Sequence, residues 1–311
     1  MKTGIIYCPK HAGLKSTDKR WEEIAGALQR YEIDYDLITS ENAQSVEKIV
    51  GKMVHDGYDT IIICGGDSAL NDAANCLMKE EREVRERVTL GVIPNGLMND
   101  FALFWGFSDK NLDYVVSSIK QRRVRKVDAG CISYLNTEGT KCKRFFLNCV
   151  DVGLVADMQR LRKNIRHLFW SRRFSFLATL LVILFKRKDW LMEYTINYEK
   201  ESHKVITMCV GSALGFGQTP NAVPYSGLLD VTVILQSQLG RLTYGAGLFL
   251  LGKILNYKNT RPYRCHDITI TCPKKTPCCV DGHELSGMDA SVEPARIYVE
   301  KESINFIMEK L

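Results

Sequence analysis

Residues 60–79, TIIICGGDSALNDAANCLMK, decide the fold class of this chain. The stretch opens with TIIIC, residues 60–64, a continuous β-branched run of the kind that is buried in a parallel sheet. A glycine pair and Asp67 follow at once, and the pattern predicts a helix from about Ser68 to Lys79. A buried strand that leads through a glycine turn into a helix is typical of a parallel α/β sheet.

The sequence around this stretch repeats the alternation of strand and helix. Strands are predicted at Thr3–Tyr7, Tyr35–Ile38 and Leu90–Ile93, and helices at Asp18–Tyr31 and Asn42–Gly57. We therefore predict that residues 1–125 form an α/β domain.

The character of the sequence changes near Arg125. Short strand-like stretches separated by turns follow, among them Arg144–Val150, and helical insertions are predicted at about Val155–Lys186 and Leu239–Leu255. We predict an all-β, sandwich-like second domain with helical insertions over residues 126–295. Residues 296–311 are predicted to return to the first domain.

Composition limits the classes of partner and compartment. The chain has 311 residues and a formal net charge of +6, a mild basic bias that suits anionic phosphates or anionic membranes. No nucleic-acid-binding motif accompanies the basic residues, so nucleic acid is not expected. The eleven cysteines are an odd number, and the first residues lack a signal-peptide pattern, which together predict free thiols and a cytoplasmic location.

One cluster of cysteine and histidine residues makes a zinc site an alternative interpretation. It consists of Cys265, Cys272, Cys278 and Cys279 with His266 and His283. The cluster lacks a CxxC pair and alternates as strands do, so the preferred interpretation is a set of small buried thiols.

Two predicted strand ends carry residues suited to a ligand. Gly65 and Gly66 let the backbone approach a phosphate, the next helix offers its amino end, and Asp67 places a carboxylate beside it. In the second loop, IPNGLMNDFA at residues 93–102, Asn95 and Gly96 precede the pair Asn99 and Asp100. Ligands bind at the carboxyl ends of strands in open parallel sheets, although each turn alone also suits a plain helix cap.

These motifs resemble those of the diacylglycerol kinase superfamily. GGDSALNDAAN resembles the family signature GGDGTLNEVVN, and IPNGLMNDFA resembles IPLGTGNDFA. The segments IIYCPKHAG, FLNCVDVGLVADM, PNAVPYSGLLDV and VDGHEL match further family segments in the same order, so the resemblance spans nearly the whole chain.

The resemblance implies an ATP- and Mg²⁺-dependent lipid kinase that phosphorylates diacylglycerol or a related long-chain alcohol. By position, Asp67 matches the acidic residue at the triphosphate and magnesium, and Asp281 matches the general base for the lipid hydroxyl. The nucleotide residues that it implies are Cys8, Pro9, Gly65, Gly66, Asp67, Ser68, Asn95, Gly96, Asn99 and Asp100.

Several residues depart from the family pattern. Cys8 replaces Asn, Ser68-Ala69 replaces Gly-Thr, Leu97-Met98 replaces Thr-Gly, Ser226 replaces Asp and His283 replaces Glu. The departures keep open an alternative function, a nucleotide-impaired relative that binds a lipid or a protein partner. An NAD kinase shares the GGD turn, but the chain has no second motif like GSTAY.

The stretch Arg160–Trp190 has a basic, apolar, basic pattern. Aromatic residues Phe169, Trp170 and Phe174 lie near its apolar centre, and its longest apolar run of twelve residues is shorter than the roughly 20 that span a bilayer. The pattern is compatible with an interfacial element at an anionic membrane and equally with a buried helix whose basic ends are solvated. The sequence leaves a homodimer open.

The interfacial interpretation predicts reversible, salt-sensitive binding to vesicles. The full chain is expected to float with anionic vesicles at low salt and to be released as the salt concentration rises, because screening weakens the attraction of Lys and Arg to head groups. Vesicle flotation measures this binding. Failure to float with anionic vesicles at low salt would favour the buried helix.

Overall fold

A computed structural model describes residues 2–9, 14–41, 45–96, 98–165, 188–215 and 218–309. The chain divides into two compact units, one formed by Met1–Ala129 with Lys301–Leu311 and the other by Gly130–Glu300. Each unit is described separately below.

The first unit alternates strands and helices. Its strands are β1 (Thr3–Tyr7), β2 (Asp36–Thr39), β3 (Thr60–Gly65) and β4 (Thr89–Pro94), and its helices are α1 (Leu14–Arg30), α2 (Ser45–His55), α3 (Asp67–Lys79), α4 (Arg82–Arg87), α5 (Asp100–Phe104) and α6 (Leu112–Gln121). Two long strands belong to both units: β5 (Val124–Asn136) starts in the first, and β16 (Ala295–Ile307) ends in it.

Parallel strands form the sheet of the first unit in the order β2-β1-β3-β4-β16. Ile5 of β1 pairs with Ile62 of β3, Ile62 lies beside Gly91 of β4, and Leu90 lies beside Phe306 of β16. Every residue of β1, β3 and β4 is buried. Because these strands run in one direction, the residues that follow β1, β3 and β4 lie at the same edge of the sheet.

The second unit is rich in antiparallel strands. It contains β6 (Lys141–Phe146), β7 (Cys149–Gly153), α7 (Leu154–Ile165), β8 (Trp190–Ile196), β9 (Glu199–Gly211), β10 (Leu229–Leu235), α8 (Leu239–Leu250), a 3₁₀ turn (Ile254–Asn256), β11 (Thr260–Cys265), β12 (Asp267–Thr271), β13 (Cys278–Val280), β14 (His283–Glu284) and β15 (Met288–Asp289). The strand β9 pairs with β7, β8 and β10, all antiparallel. The predicted fold class, an α/β domain with a β-rich second domain, is confirmed.

Some predicted elements were wrong in detail. The predicted strand Arg144–Val150 is interrupted in the structure, because Leu147 and Asn148 leave the ladder and turn their amides to Asp281. The predicted helix Leu239–Leu255 ends at Leu250. In the predicted insertion Val155–Lys186, α7 reaches Ile165, and residues 166–187 lie outside the described residues.

Two further observations concern the cysteines and the length of the helices. All eleven cysteines lie in the described ranges, and all are free thiols. Of the helices that the structure describes, none has both the length and the apolar character needed to cross a membrane.

Close packing between β5 and β6 gives a test of the second unit. Gly130 pairs with Phe146, and a Cβ on Gly130 would lie 2.0 Å from Phe146 Cζ. The Phe146 ring is fully buried, so it has no open space to move into. We expect Gly130→Ala to lower the free energy of unfolding by about 1–3 kcal/mol, measured by urea denaturation.

Gly247→Ala is the matched control for this change. Gly247 lies in α8, and a Cβ there would meet no atom within 4 Å. This substitution is expected to leave the free energy of unfolding unchanged or to raise it by up to about 1 kcal/mol. Equal stability of Gly130→Ala and the wild-type protein would contradict the packing described here.

Candidate functional site

Three loops meet at the carboxyl edge of the parallel sheet in the first unit. Cys8 follows β1, Gly66 follows β3, and Asn95 follows β4. Backbone hydrogen bonds hold the loops in register: the Cys8 amide donates to Cys64 O at 2.9 Å, and the Asn95 amide donates to Gly65 O at 2.8 Å. The predicted nucleotide residues of the first unit are therefore brought together at one edge.

Two glycines from different loops approach each other closely. A Cβ on Gly66 would lie 2.9 Å from the Cα of Gly96, and a Cβ on Gly96 would lie 2.3 Å from the Cα of Gly66. Asn99 holds the second loop in this position. Its Oδ1 accepts from the Gly96 amide at 2.9 Å, and its own backbone is left-handed with φ 59°. Neither glycine position has room for a side chain.

The Asp67 carboxylate links the first of these loops to the second. Its Oδ2 accepts from the Asp100 amide at 3.1 Å, and its Oδ1 accepts from the Phe101 amide at 3.1 Å. These amides are at the start of α5, where backbone N–H groups lack helical partners. Asp67 therefore acts as a helix cap supplied by a different loop, a role that the sequence analysis did not foresee.

The amino end of α3 faces the same edge. Its N-cap residue is Gly66, which has extended backbone and no side chain to cap the first amides. A helix start of this kind favours an anion. Ser68 lies in the first turn of α3 and is exposed; its φ is not positive. The backbone at position 68 therefore does not require glycine, and serine adopts it without strain.

Asn95 carries an unpaired polar atom at this edge. Its Nδ2 donates to Cys8 O at 3.1 Å, whereas its Oδ1 has no partner in the described part of the chain. The Asn95 residue is only 2% exposed. A buried carbonyl oxygen without a partner is rare, and a donor group of a bound ligand would satisfy it.

The Cys8 thiol supplies neither charge nor a nucleophile to the edge. Its pKa is raised to about 11, chiefly by burial; a hydrogen bond from Ser40 opposes the rise, and the nearby Asp72 contributes to it. The thiol is therefore neutral at pH 7.

Three polar residues of α3 were missed by the sequence analysis. Asn71, Asp72 and Asn75 are all buried, and Asn75 Nδ2 donates to Asn71 Oδ1 at 3.0 Å. Polar residues on the buried face of a helix are the signal that would have found them.

In the second unit, three consecutive amides surround the Asp281 carboxylate. Leu147 donates to Oδ2 at 2.7 Å, Asn148 to Oδ1 at 3.1 Å, and Cys149 to Oδ1 at 2.8 Å. The residue is 6% exposed and has φ 45°. Charge-assisted bonds from backbone amides stabilise the ionised carboxylate and fix its orientation.

The loop that carries Ser226 is held without an acidic residue at that position. Ser226 is exposed, and its Oγ bonds within the loop to Leu228. Arg264 ties the flanking residues together: it donates to Asp230 at 2.6 Å and to Asn221 O at 3.2 Å. A guanidinium thus cross-links the start and the end of this loop.

The chain is similar in sequence to a protein family and to individual lipid kinases. Residues 4–132 match the family model described as Diacylglycerol kinase catalytic domain. A Staphylococcus epidermidis protein named "Putative lipid kinase" is 24% identical over 228 residues, which are 70% of this chain and 68% of that protein. A Xanthomonas oryzae protein named "Probable lipid kinase YegS-like" is 32% identical over 115 residues, 37% of each chain.

Solved structures show the same fold. A diacylglycerol kinase from Bacillus anthracis superposes with a TM-score of 0.67 at 17% identity, covering 99% of this chain and 97% of that one. Yeast NADH kinase complexed with NADH gives a TM-score of 0.51 at 11% identity, covering 100% of this chain and 84% of that one. The solved structures show the fold, and the family match confirms the predicted resemblance: residues 4–132 match the diacylglycerol kinase catalytic domain, which together with the lipid-kinase relatives supports a kinase, a phosphotransferase.

Proposed function

We propose that the protein transfers the γ-phosphoryl group of Mg²⁺–ATP to a hydroxyl of diacylglycerol or a related long-chain lipid alcohol. The observation that carries this proposal is the approach of Gly66 to Gly96 beside the amino end of α3. Two backbones without side chains and a helix start with no side-chain cap form a surface that suits a chain of phosphates.

The nucleotide is proposed to bind at the carboxyl edge of the first unit. The amides at the start of α3 would bind phosphate oxygens, and the unpaired Asn95 Oδ1 would accept from a hydroxyl or amino group of the nucleotide. Cys8, Pro9 and Ser68 border this edge. The residues present therefore fit a nucleoside triphosphate.

Asp67 is the proposed magnesium residue of this edge. Each of its carboxylate oxygens accepts one amide of α5, and carboxylate oxygens are the ligands that Mg²⁺ prefers in proteins. When bound, Mg²⁺ would neutralise charge on the phosphates during transfer. Asp67 itself would hold the metal at the helix start.

The lipid hydroxyl is the proposed partner of Asp281. The names of both relatives contain the words lipid kinase. In the resemblance of VDGHEL to the family segment, Asp281 takes the position of the acid on the acceptor side. The amides of residues 147–149 hold the carboxylate in one orientation. A fixed carboxylate of this kind would orient the hydroxyl and accept its proton as the oxygen attacks phosphorus.

We also propose that the protein is cytoplasmic and acts at the membrane surface, because long-chain lipids reside in membranes. The stretch Arg160–Trp190 remains the proposed contact with anionic lipid. Its aromatic residues Phe169, Trp170 and Phe174 lie outside the described residues. Homodimer formation also stays open.

Two substitutions separate nucleotide binding from turnover. Asp67→Asn is expected to weaken the thermal stabilisation that Mg²⁺ and ATP give, because it removes the charge that holds the metal. Asp281→Asn is expected to keep this stabilisation and to lower ADP formation with a panel of long-chain alcohols by about 10²–10⁴-fold, the usual worth of a general base. A retained nucleotide shift also shows that the Asp281 variant is folded.

Two exposed acids serve as controls. Asp113 in the first unit pairs with Arg30, and Asp267 in the second pairs with Arg296. Asp113→Asn and Asp267→Asn are expected to match the wild-type protein in both assays. Wild-type ADP formation by Asp281→Asn, or a full nucleotide shift in Asp67→Asn, would contradict the assigned roles.

A nucleotide-impaired relative that binds a lipid or a protein partner is the second candidate function. The departures from the family pattern favour it, above all Ala69, which lacks the hydroxyl that threonine would offer to a phosphate. The double variant Ser68→Gly with Ala69→Thr is expected to bind ATP at least as tightly as the wild-type protein. If neither protein binds ATP or forms ADP with any lipid alcohol, the second candidate replaces the first.

A further inference from the structure

Helix α8 of the second unit is apolar around its whole circumference. Its sequence, LGRLTYGAGLFL, contains no acidic residue and a single basic one, Arg241. A helix of this composition is ordinarily buried on every side, because a helix presents a polar face to water. The structure instead buries one side of α8 and leaves residues of the other side exposed.

The buried side of α8 packs on the residues that follow the helix. Leu248 and Phe249 pack against the buried side chains of Ile254 and Tyr257. A Cβ on Gly245 would lie 3.0 Å from Tyr257 Cζ. This side of the helix is therefore occupied by the protein itself.

The opposite side of α8 carries exposed apolar side chains. Gly240, Tyr244, Gly247 and Leu251 follow one another at spacings of three and four residues, which place them on one side of a helix. Tyr244 is 64% exposed, and Leu251 is 70% exposed. A Cβ on Gly240 or on Gly247 would meet no atom within 4 Å. These four residues form the outer face of α8.

A left-handed turn fixes the end of the outer face. Gly252 has φ 67°, and the Lys253 amide donates to Leu248 O at 2.8 Å. This is the hydrogen bond of a Schellman helix end, and it holds Leu251 and Lys253 in place beside the last turn. Arg241 and Lys253, both exposed, therefore lie near the two ends of the outer face.

The sequence around the outer face is basic and lacks acids. Residues 231–266 contain no aspartate or glutamate and five basic residues, Arg241, Lys253, Lys258, Arg261 and Arg264. Arg264 pairs with Asp230, whereas the other four are exposed and form no ion pair with any residue that the structure describes. Positive charge that no acid of the protein offsets favours an anionic partner.

We propose that the outer face of α8 docks on an anionic lipid bilayer. In this position Tyr244 and Leu251 enter the boundary between head groups and acyl chains, and Arg241 and Lys253 reach the phosphates of the head groups. Tyrosine is enriched at this boundary because its ring is apolar and its hydroxyl is polar. The inference rests on the proposed action at the membrane surface, and it names a surface separate from the stretch Arg160–Trp190.

A bilayer fits this face better than a second copy of the chain does. Two-fold pairing through α8 would bring Arg241 and Lys253 near the same residues of the other copy, and like charges across an interface cost free energy. The stretch 231–266 has no acid that would offset this cost. Anionic head groups supply the opposite charge along the whole face.

Partition of the full chain onto vesicles tests the surface, with phosphatidylcholine alone compared with phosphatidylcholine plus phosphatidylserine. Tyr244→Ser with Leu251→Ser is expected to lower the partition coefficient on anionic vesicles by about tenfold or more, because two apolar side chains no longer leave water. Arg241→Gln with Lys253→Gln is expected to lower it by about 30-fold at low salt, and by less as the salt concentration rises.

Matched controls remove the same chemistry from other parts of the second unit. Val292→Ser removes an apolar side chain that is 84% exposed, and Lys141→Gln with Lys143→Gln removes two exposed charges from β6. These variants are expected to partition like the wild-type protein. All of the altered side chains are exposed, so every variant is expected to keep the wild-type melting temperature.

A gain of binding gives a test that loss of folding cannot mimic. Gly247→Leu adds an apolar side chain to the outer face, where a Cβ meets no other atom. This variant is expected to raise the partition coefficient on anionic vesicles by about tenfold.

Partition is measured without ATP, so the expected losses and gain support this surface even if the chain forms no ADP with any lipid alcohol. The proposal is overturned if the wild-type chain does not bind anionic vesicles at low salt, even where it forms ADP with detergent-dispersed alcohols. It is also overturned if the α8 variants partition like the wild-type protein. Self-association that Tyr244→Ser with Leu251→Ser abolishes, with partition unchanged, would assign the outer face to a second copy instead.

Discussion

The arrangement of the first unit depends on the carboxylate of Asp67 accepting two backbone amides of α5. Strand β3 ends in a turn of two glycines and β4 ends in a second turn, and the Asn95 amide joins the two strand ends through Gly65 O. The bonds of 3.1 Å from Asp100 and Phe101 to Asp67 extend this link to the start of α5. Once the loops are so close, only glycine fits at positions 66 and 96, and Asn99 must adopt a left-handed backbone. The shape of the edge proposed to bind the nucleotide depends on this cap.

The second unit uses the same chemistry at Asp281. A single carboxylate again accepts successive backbone amides, and the chain leaves the ladder between β6 and β7 to supply them. Charged hydrogen bonds to backbone amides are stronger than neutral ones, and they fix the orientation of this carboxylate. The roles proposed for Asp281, to orient a hydroxyl and to accept its proton, would benefit from such a fixed position.

The sequence predicted the fold class and most elements of the first unit well, since buried parallel strands such as Thr60–Gly65 have a strong local pattern. It also identified Gly66, Gly96 and Asp67, because glycine turns at strand ends are a local signal. The sequence did not predict the helix-capping role of Asp67, since that role depends on the amide of Asp100, which is 33 residues away. The sequence did not predict the interruption at Leu147 for the same reason: its amide donates to Asp281, which is 134 residues further along the chain.

The structure shows what two of the departures from the family pattern do to the backbone. Ser68 stands where the family has glycine, and the structure places it in an ordinary helical turn without positive φ. Cys8 in place of asparagine leaves the backbone contact with Asn95 intact, since that contact uses the Cys8 carbonyl. At Cys8 and Ser68 the departures leave the backbone of the edge intact, and Ala69 lacks the hydroxyl that threonine would offer.

Hydrogen–deuterium exchange with and without nucleotide tests the central claim most directly, namely that this edge binds a nucleoside triphosphate. The account predicts that Mg²⁺ with ATP slows amide exchange in peptides covering residues 65–70 and 95–101, relative to Mg²⁺ alone. Peptides of α6, Leu112–Gln121, serve as the internal reference and are expected to be unchanged. Unaltered exchange in both loops at saturating ATP would contradict the account.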